Sequence, residues 1–184
     1  MVGRDQQDSY QKVLENKIVS ICLILLGIVL ILAILAPVIA PNDQNAIDLK
    51  NSLHPPSTAY PLGTDHLGRD VFSRLLYGAT TSFVIAFSVV GLSLVLGLLL
   101  GGAAGYYGRW LDEIISRLMD LFLSFPGIIF ALAIVGALGS GVLNLIIALS
   151  LVNWASYARL MRGQVLSIKN NDYISSARII GASD

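Results

Sequence analysis

The chain has 184 residues, of which 55% are hydrophobic and 13% charged, with twelve basic and twelve acidic side chains and a net charge of zero. Soluble chains carry roughly 25% charged residues, and the mean hydropathy here is +0.72, so the composition indicates an integral membrane protein and excludes an ordinary soluble domain; uncharged runs long enough to cross a membrane as helices make the expected fold all-α. With zero net charge no polyanion such as a nucleic acid is implied as a partner, and the single cysteine, Cys22, lies in an apolar run and excludes a disulfide framework.

Residues 1–17 are polar, with Arg4, Lys12 and Lys17, and read as a cytoplasmic tail. Residues 18–36 contain no charge, enough to cross a hydrocarbon core of about 30 Å. The run is too long for the apolar core of a signal peptide, and Ala-Pro-Val-Ile-Ala-Pro is a poor cleavage site. The first span is therefore uncleaved and placed at residues 18–40.

Residues 41–81 form the one long extramembrane segment of the interior. Pro41, Pro55, Pro56 and Pro61 make its first half irregular. Residues 62–78 then read L-G-T-D-H-L-G-R-D-V-F-S-R-L-L-Y-G. Val71, Phe72, Leu75 and Leu76 predict a short amphipathic helix along the outer membrane surface. Asp65, Arg69, Asp70 and Arg74 are spaced to pair locally. No third group accompanies Asp65 and Asp70, so no catalytic residue is assigned. His54 and His66, the only histidines, read as exposed loop residues, and no metal site is assigned.

Residues 82–158 hold spans two to four. The second runs from about residue 82 to 104, and Gly97, Gly101 and Gly105 leave one of its faces bare for close helix packing. Residues 105–120 carry Arg109, Asp112, Glu113, Arg117 and Asp120 and read as a solvated cytoplasmic loop, with Arg117 and Asp120 able to pair at the start of the next helix. From residue 121 to 158 no charge occurs over thirty-eight residues, too many for one span, and G-A-L-G-S-G at 136–141 divides the run. The third span is placed at about 117–138, kinked at Pro126 and Gly127 for gating or for packing. The fourth is placed at about 142–157. Asparagine inside a span needs a partner or water, so Asn153, with Ser150, is a candidate for the translocation path; an interhelical hydrogen bond is the alternative. Met119 and Met161 read as packing residues.

Residues 159–184 carry Arg159, Arg162, Lys169 and Arg178 after that uncharged run, which places them in the cytoplasm. Ile174, Ala177, Ile180 and Gly181 form one helical stripe, for lipid headgroups or for a docking partner. With this topology nine basic residues lie inside and three, Lys50, Arg69 and Arg74, outside. There is no Gly-Lys-Ser/Thr ending on the glycine-rich stretch 97–105, so any ATP must bind another subunit. The predicted spans carry no ionisable residue at their centres, which argues against a proton- or sodium-coupled secondary transporter. A membrane anchor without transport is the other class left open.

Two stretches carry a family resemblance. Y-I-S-S-A-R-I-I-G-A-S-D, residues 173–184, resembles the E-A-A-x-x-x-G coupling loop of binding-protein-dependent ABC importer permeases. Ala177 and Gly181 match the motif's second alanine and its glycine, while Ser175 and Ser176 replace its glutamate and first alanine. Leu62, Gly63, Thr64, Asp65, Gly68, Arg69, Asp70, Ser73 and Arg74 match the L-G-T-D-x-x-G-R-D-x-x-S-R segment of the peptide/nickel class of these permeases. Residues 144–159 resemble nickel-type members somewhat more than peptide-type ones.

The resemblance implies a type I ABC importer permease of MetI-like fold, with four of an expected six transmembrane helices present. It implies a chain cut short inside the coupling loop. Ser175, Ser176, Ala177 and Gly181 would contact an ATPase. The implied partners are a second homologous permease chain, two ATPase subunits, an extracytoplasmic solute-binding protein and the lipid bilayer. ATP and magnesium would sit on the ATPase subunits, with no cofactor on this chain.

Overall fold

A computed structural model describes residues 17–181, the side chains of Ser175, Ala177 and Arg178 excepted. The expected tail at residues 1–16, and residues 182–184, lie outside the described residues. The described residues are helical, without strands, and divide into two compact units, 1–84 and 85–184.

The first unit begins with α1, Lys17–Ile34, and the single turn α2, Ala36–Ile39. α1 has no apolar stripe: Ala33 alone is buried, and its isoleucines and leucines project all round. A helix apolar on every side is solvated by lipid, and its eighteen residues rise about 27 Å, close to the thickness of a hydrocarbon core. Pro37 falls in the first turn of α2, where no backbone N–H is needed.

The chain from Ala40 to Asp70 folds back on itself. A 3-10 turn at Leu49–Asn51 is capped by the Asp48 carboxylate, which accepts the Lys50 N–H at 3.1 Å. Asp48 N–H bonds the Leu67 carbonyl and Leu53 N–H bonds the Asp65 carbonyl, both at 3.1 Å. Thr64 and Asp70 form an isolated antiparallel bridge. Gly68 is required at the crossing: its φ is +73°, and a Cβ there would stand 1.8 Å from the Asp48 carbonyl oxygen.

Helix α3, Val71–Tyr107, starts from Asp70, whose carboxylate accepts the N–H groups of Phe72 and Ser73 at 3.2 and 3.3 Å in the N-cap arrangement. The predicted short surface helix is therefore not a separate element. Val71, Phe72, Leu75 and Leu76 belong to the first turns of a 37-residue helix. From Leu75 to Tyr107 there is neither proline nor charge to interrupt it. Within the first unit, Thr80 Oγ1 donates to the Ala33 carbonyl at 2.6 Å and fastens α3 to α1.

The second unit contains the rest of α3, then α4, Arg109–Ser124; α5, Gly127–Leu138; α6, Val142–Lys169; and α7, Asp172–Ile179. Residues 105–120 are not a solvated loop but mostly helix. Leu111, Ile115, Met119 and Phe122 recur at intervals of four, four and three and pack with Ala104, Trp154, Ala155 and Ala158 in one buried cluster. That apolar stripe outweighs the charges on the other face of α4. Instead of a kink at Pro126, the structure has a 92° break between α4 and α5. Phe125 is extended, the conformation favoured before proline. α6 runs unbroken to Lys169, so the fourth span and the beginning of the predicted loop are one helix.

Helices α1, α3 and α6 are each long and apolar enough to cross a membrane, and α4 with α5 makes a fourth span if the bent pair counts as one. Gly97, Gly101 and Gly105 lie where α3 meets α6. A Cβ on them would stand 2.4 Å from Tyr157 Cβ, 2.2 Å from the Ala158 carbonyl oxygen and 2.8 Å from Val165 Cβ, respectively. Only glycine allows the two backbones this approach.

Candidate functional site

The last turns of α6 carry α7 across a two-residue turn. Asn170 N–H closes α6 on the Leu166 carbonyl at 3.2 Å, and Ile174 N–H opens α7 on the Asn171 carbonyl at 3.0 Å. Asp172 in the first turn suits the positive end of the helix dipole. The far end of α7 is apolar and bare: Ile179 and Ile180 are 86% and 87% exposed. Ser176 is exposed, and its hydroxyl donates back to the Asp172 carbonyl at 2.8 Å. The side chains of Ser175 and Ala177 lie outside the described residues.

By its spacing Gly181 belongs to the apolar stripe. The structure gives it another part. It follows the last turn with φ +97°, while Ile180 N–H bonds the Ser176 carbonyl at 3.2 Å. A left-handed glycine just past a helix ends it. Gly181 thus terminates α7, with open space around its Cα.

Charged and polar contacts fasten the α7-bearing half of α6 to its neighbours. Arg162 reaches Asp112 of α4 through two N–H groups, at 2.5 and 2.8 Å, and Ser116 Oγ donates to the same carboxylate at 3.2 Å. The Arg162 and Asp112 side chains are both half-buried. Arg159 pairs with Asp120 at 2.6 Å in a far more exposed setting. Lys169 Nζ donates to the Tyr106 carbonyl at 2.7 Å and lies 5.8 Å from the Tyr106 ring centroid. Arg117 does not pair with Asp120, as its spacing predicts, but with Glu113 at 2.6 Å. Asp120 is drawn to Arg159, thirty-nine residues away, because α4 and α6 are packed side by side.

The candidate path residues separate. Asn153 is exposed and its amide donates to the Leu149 carbonyl of its own helix at 2.8 Å, not to another helix. Ser150 is 3% exposed and lies against α3, where Ser93 Oγ donates to the Ser150 carbonyl at 3.4 Å. Ser150 is thus placed in a helix contact rather than on an open surface. Asn144, a third polar residue of α6, caps α5 by donating to the carbonyls of Leu138 and Gly139 at 2.9 and 3.0 Å. Phe122 stands edge-on to both Phe130 and Trp154, with centroids 5.4 Å apart in each pair, and Phe125 stacks on Phe130 beside the α4–α5 break.

Within the first unit, the L-G-T-D stretch is a knot of hydrogen bonds. Asp65 accepts from the N–H groups of Leu67 and Arg69 at 2.8 and 3.0 Å, from Arg69 Nε at 2.8 Å and from Arg74 Nη1 at 2.6 Å. Partial burial works to raise the Asp65 carboxyl, but the Arg69 side chain and the Arg69 and Leu67 N–H groups outweigh it and hold it well below the usual carboxylate range. Asp70 takes no cation. It is 2% exposed and accepts Ser73 Oγ at 2.6 Å and Asn42 Nδ2 at 3.3 Å. Thr64 Oγ1 donates to the Asn51 carbonyl and accepts the His54 N–H. His54 Nδ1 rests on its neighbour Pro55, and among the described residues no group of three His, Cys, Asp or Glu could hold a metal.

The pairs that join α4 to α6, and the role of Asn42, are not among the features the sequence predicts. The signal was faint: acids at 112 and 120 and arginines at 159 and 162 are complementary in sign, but nothing in their spacing says that they meet.

Residues 93–184 match the family described as the binding-protein-dependent transport system inner membrane component. Residues 7–56 match the N-terminal TM domain of oligopeptide transport permease C. Over 95% of its length the chain is 37% identical to the dipeptide transport system permease protein DppC of Alkalihalophilus pseudofirmus, covering 58% of that protein. Over 89% of its length it is 39% identical to the nickel transport system permease protein NikC of Escherichia coli K12, covering 59%. Over 85% it is 44% identical to the glutathione transport system permease protein GsiD of Escherichia coli O6:K15:H31, covering 52%. The chain thus spans little more than half the length of the relatives it matches.

Proposed function

The chain belongs to the family of binding-protein-dependent transport system inner membrane components, and from that premise we propose that it is the permease subunit of an ABC importer. It forms part of the path by which a small solute, a peptide or nickel, crosses the inner membrane. Identities of 37%, 39% and 44% to permeases named for dipeptide, nickel and glutathione favour none of these solutes strongly. ATP with magnesium is hydrolysed on two partner ATPase subunits, and this chain has no catalytic residue of its own. A second permease chain completes the path, and an extracytoplasmic binding protein delivers the solute.

The observation that carries this reading is α7: an eight-residue helix at the end of a long span, with Ile179 and Ile180 bare at its tip. Exposed isoleucines outside lipid mark a surface that another protein covers. The nine-to-three excess of basic residues supports a cytoplasmic N-terminus, which puts α7 where the ATPase works. Alternating access then follows from movement of α7 as the ATPase subunits close.

Uptake tests the reading. In cells lacking the gene, labelled nickel or a labelled dipeptide at trace concentration should no longer accumulate, and whichever is lost names the solute. Ile180→Asp in the full-length protein should leave it in the membrane but abolish recovery of the ATPase with it. Undiminished uptake of both probes, with no ATPase recovered even with the unaltered protein, would leave a membrane anchor as the better reading.

A further inference from the structure

Beyond Ala158, the last buried residue of α6, eleven residues lead to Lys169 and then to α7. This arm, roughly 16 Å long, carries exposed Leu160 and Ile168, while its half-buried Val165 packs on Gly105 of α3. Toward α4 it reaches with charge. The two-pronged Arg162–Asp112 contact is half-buried and braced by Ser116, and it lies in the first turn of α4. From there α4 leads to the 92° break and α5. A hydrogen-bonded guanidinium–carboxylate pair resists both sliding and rotation, since two parallel bonds fix its plane. The Arg159–Asp120 pair is made through one nitrogen and is largely in solvent, where ion pairs contribute little.

We infer that the Arg162–Asp112 pair is the strut that passes movement of the α7-bearing arm of α6 into α4, and through α4 to the broken span. Both are positioning residues. With the strut in place, α4 follows the arm. Without it, the arm, which meets α3 through Val165 and Lys169, moves without α4, and ATP is hydrolysed without solute crossing. This inference rests on the importer reading and adds to it the residues through which the movement travels.

The test uses the full-length permease with its second permease chain, ATPase subunits and binding protein in proteoliposomes. It reads ATP hydrolysed per labelled dipeptide or nickel ion taken up. Asp112→Asn and Arg162→Gln should each raise that ratio by about fivefold or more. The charge-swapped pair Asp112→Arg with Arg162→Asp should bring it back toward the wild-type value, and Asp112→Glu should hold it there. Asp120→Asn, which removes a carboxylate from the exposed pair, should leave it unchanged. A role in folding alone would lower hydrolysis and uptake together and leave the ratio fixed, and that outcome overturns the strut. So does an unchanged ratio in both single variants, or a swapped pair no better coupled than either single variant. Wild-type assemblies that show no hydrolysis stimulated by the binding protein would overturn the importer reading itself, before any substitution is compared.

Discussion

One methyl group at Gly101 is enough to test the contact on which the second unit is built. Gly101→Ala would put its Cβ 2.2 Å from the Ala158 carbonyl oxygen and 2.8 Å from the Ala158 carbonyl carbon and Cα. Non-bonded atoms need more than about 3 Å, so α3 and α6 must part by roughly 1 Å along that line. The obstacle is backbone, which has no rotamer to escape into, whereas at Gly97 and Gly105 the nearest atoms are the side-chain Cβ atoms of Tyr157 and Val165. Overpacking of this kind costs about 1–3 kcal/mol. Alanine's better helix propensity returns only about 0.5–1 kcal/mol. The expected net loss is on the order of 1 kcal/mol. Gly91→Ala in the same helix meets nothing within 4 Å, so it should stabilise by its propensity alone. Thermal unfolding of the full-length protein in detergent, followed by tryptophan fluorescence, separates the two: the midpoint should fall for Gly101→Ala and rise slightly for Gly91→Ala. Equal midpoints for the two variants would refute the close approach of α3 and α6.

Gly181→Ala forces a side chain into the left-handed region at a strain of about 1–2 kcal/mol, so uptake should drop several-fold, while Gly163→Ala, with open space around it, should transport normally. Asp65 titrates lower in the folded segment than in the unfolded one. Acid therefore protonates the unfolded form first, and the carboxylate's contribution is present above about pH 4 and is lost as pH falls through its depressed folded value. Proteolysis of the 41–70 segment in proteoliposomes should accordingly quicken with acid. In Asp65→Asn it should be fast already at pH 7, with no further rise attributable to this position. Asp70→Ala leaves Ser73 Oγ without its acceptor and takes from Asn42 Nδ2 one of its two, the other being the Ala59 carbonyl, a loss of about 1–3 kcal/mol that should show as a lower unfolding midpoint and early cleavage at the start of α3. If Asp70→Ala were as resistant as the wild type, the carboxylate's role as a cap and hub would be wrong.

The spans were legible because hydrophobicity is a sum over neighbours along the chain, and lipid asks for little else. The uncharged runs place α1, α3 and α6, and Gly97, Gly101 and Gly105 announce a close helix contact by their spacing alone. Pro126 announces an interruption, since proline removes a backbone donor wherever it sits. The character of α4 was in the sequence too, in the stripe of Leu111, Ile115, Met119 and Phe122. Five charges along α4, from Arg109 to Asp120, masked it.

What the sequence could not supply was every quantity that depends on residues far apart meeting in space. A proline says that the helix is interrupted; the 92° turn, with Phe122, Phe125, Phe130 and Trp154 packed beside the break, appears only in the folded chain. Spacing offered Asp120 to Arg117, and the packing of α4 on α6 gave it to Arg159. Gly181 looked like part of an apolar stripe until its φ showed it to be the end of the helix. Hydropathy and local periodicity are properties of the chain itself, so the sequence determined the membrane class, the spans and the family resemblance. The partner of each charge and the angle of each break are properties of how helices pack, and only the tertiary structure decided them.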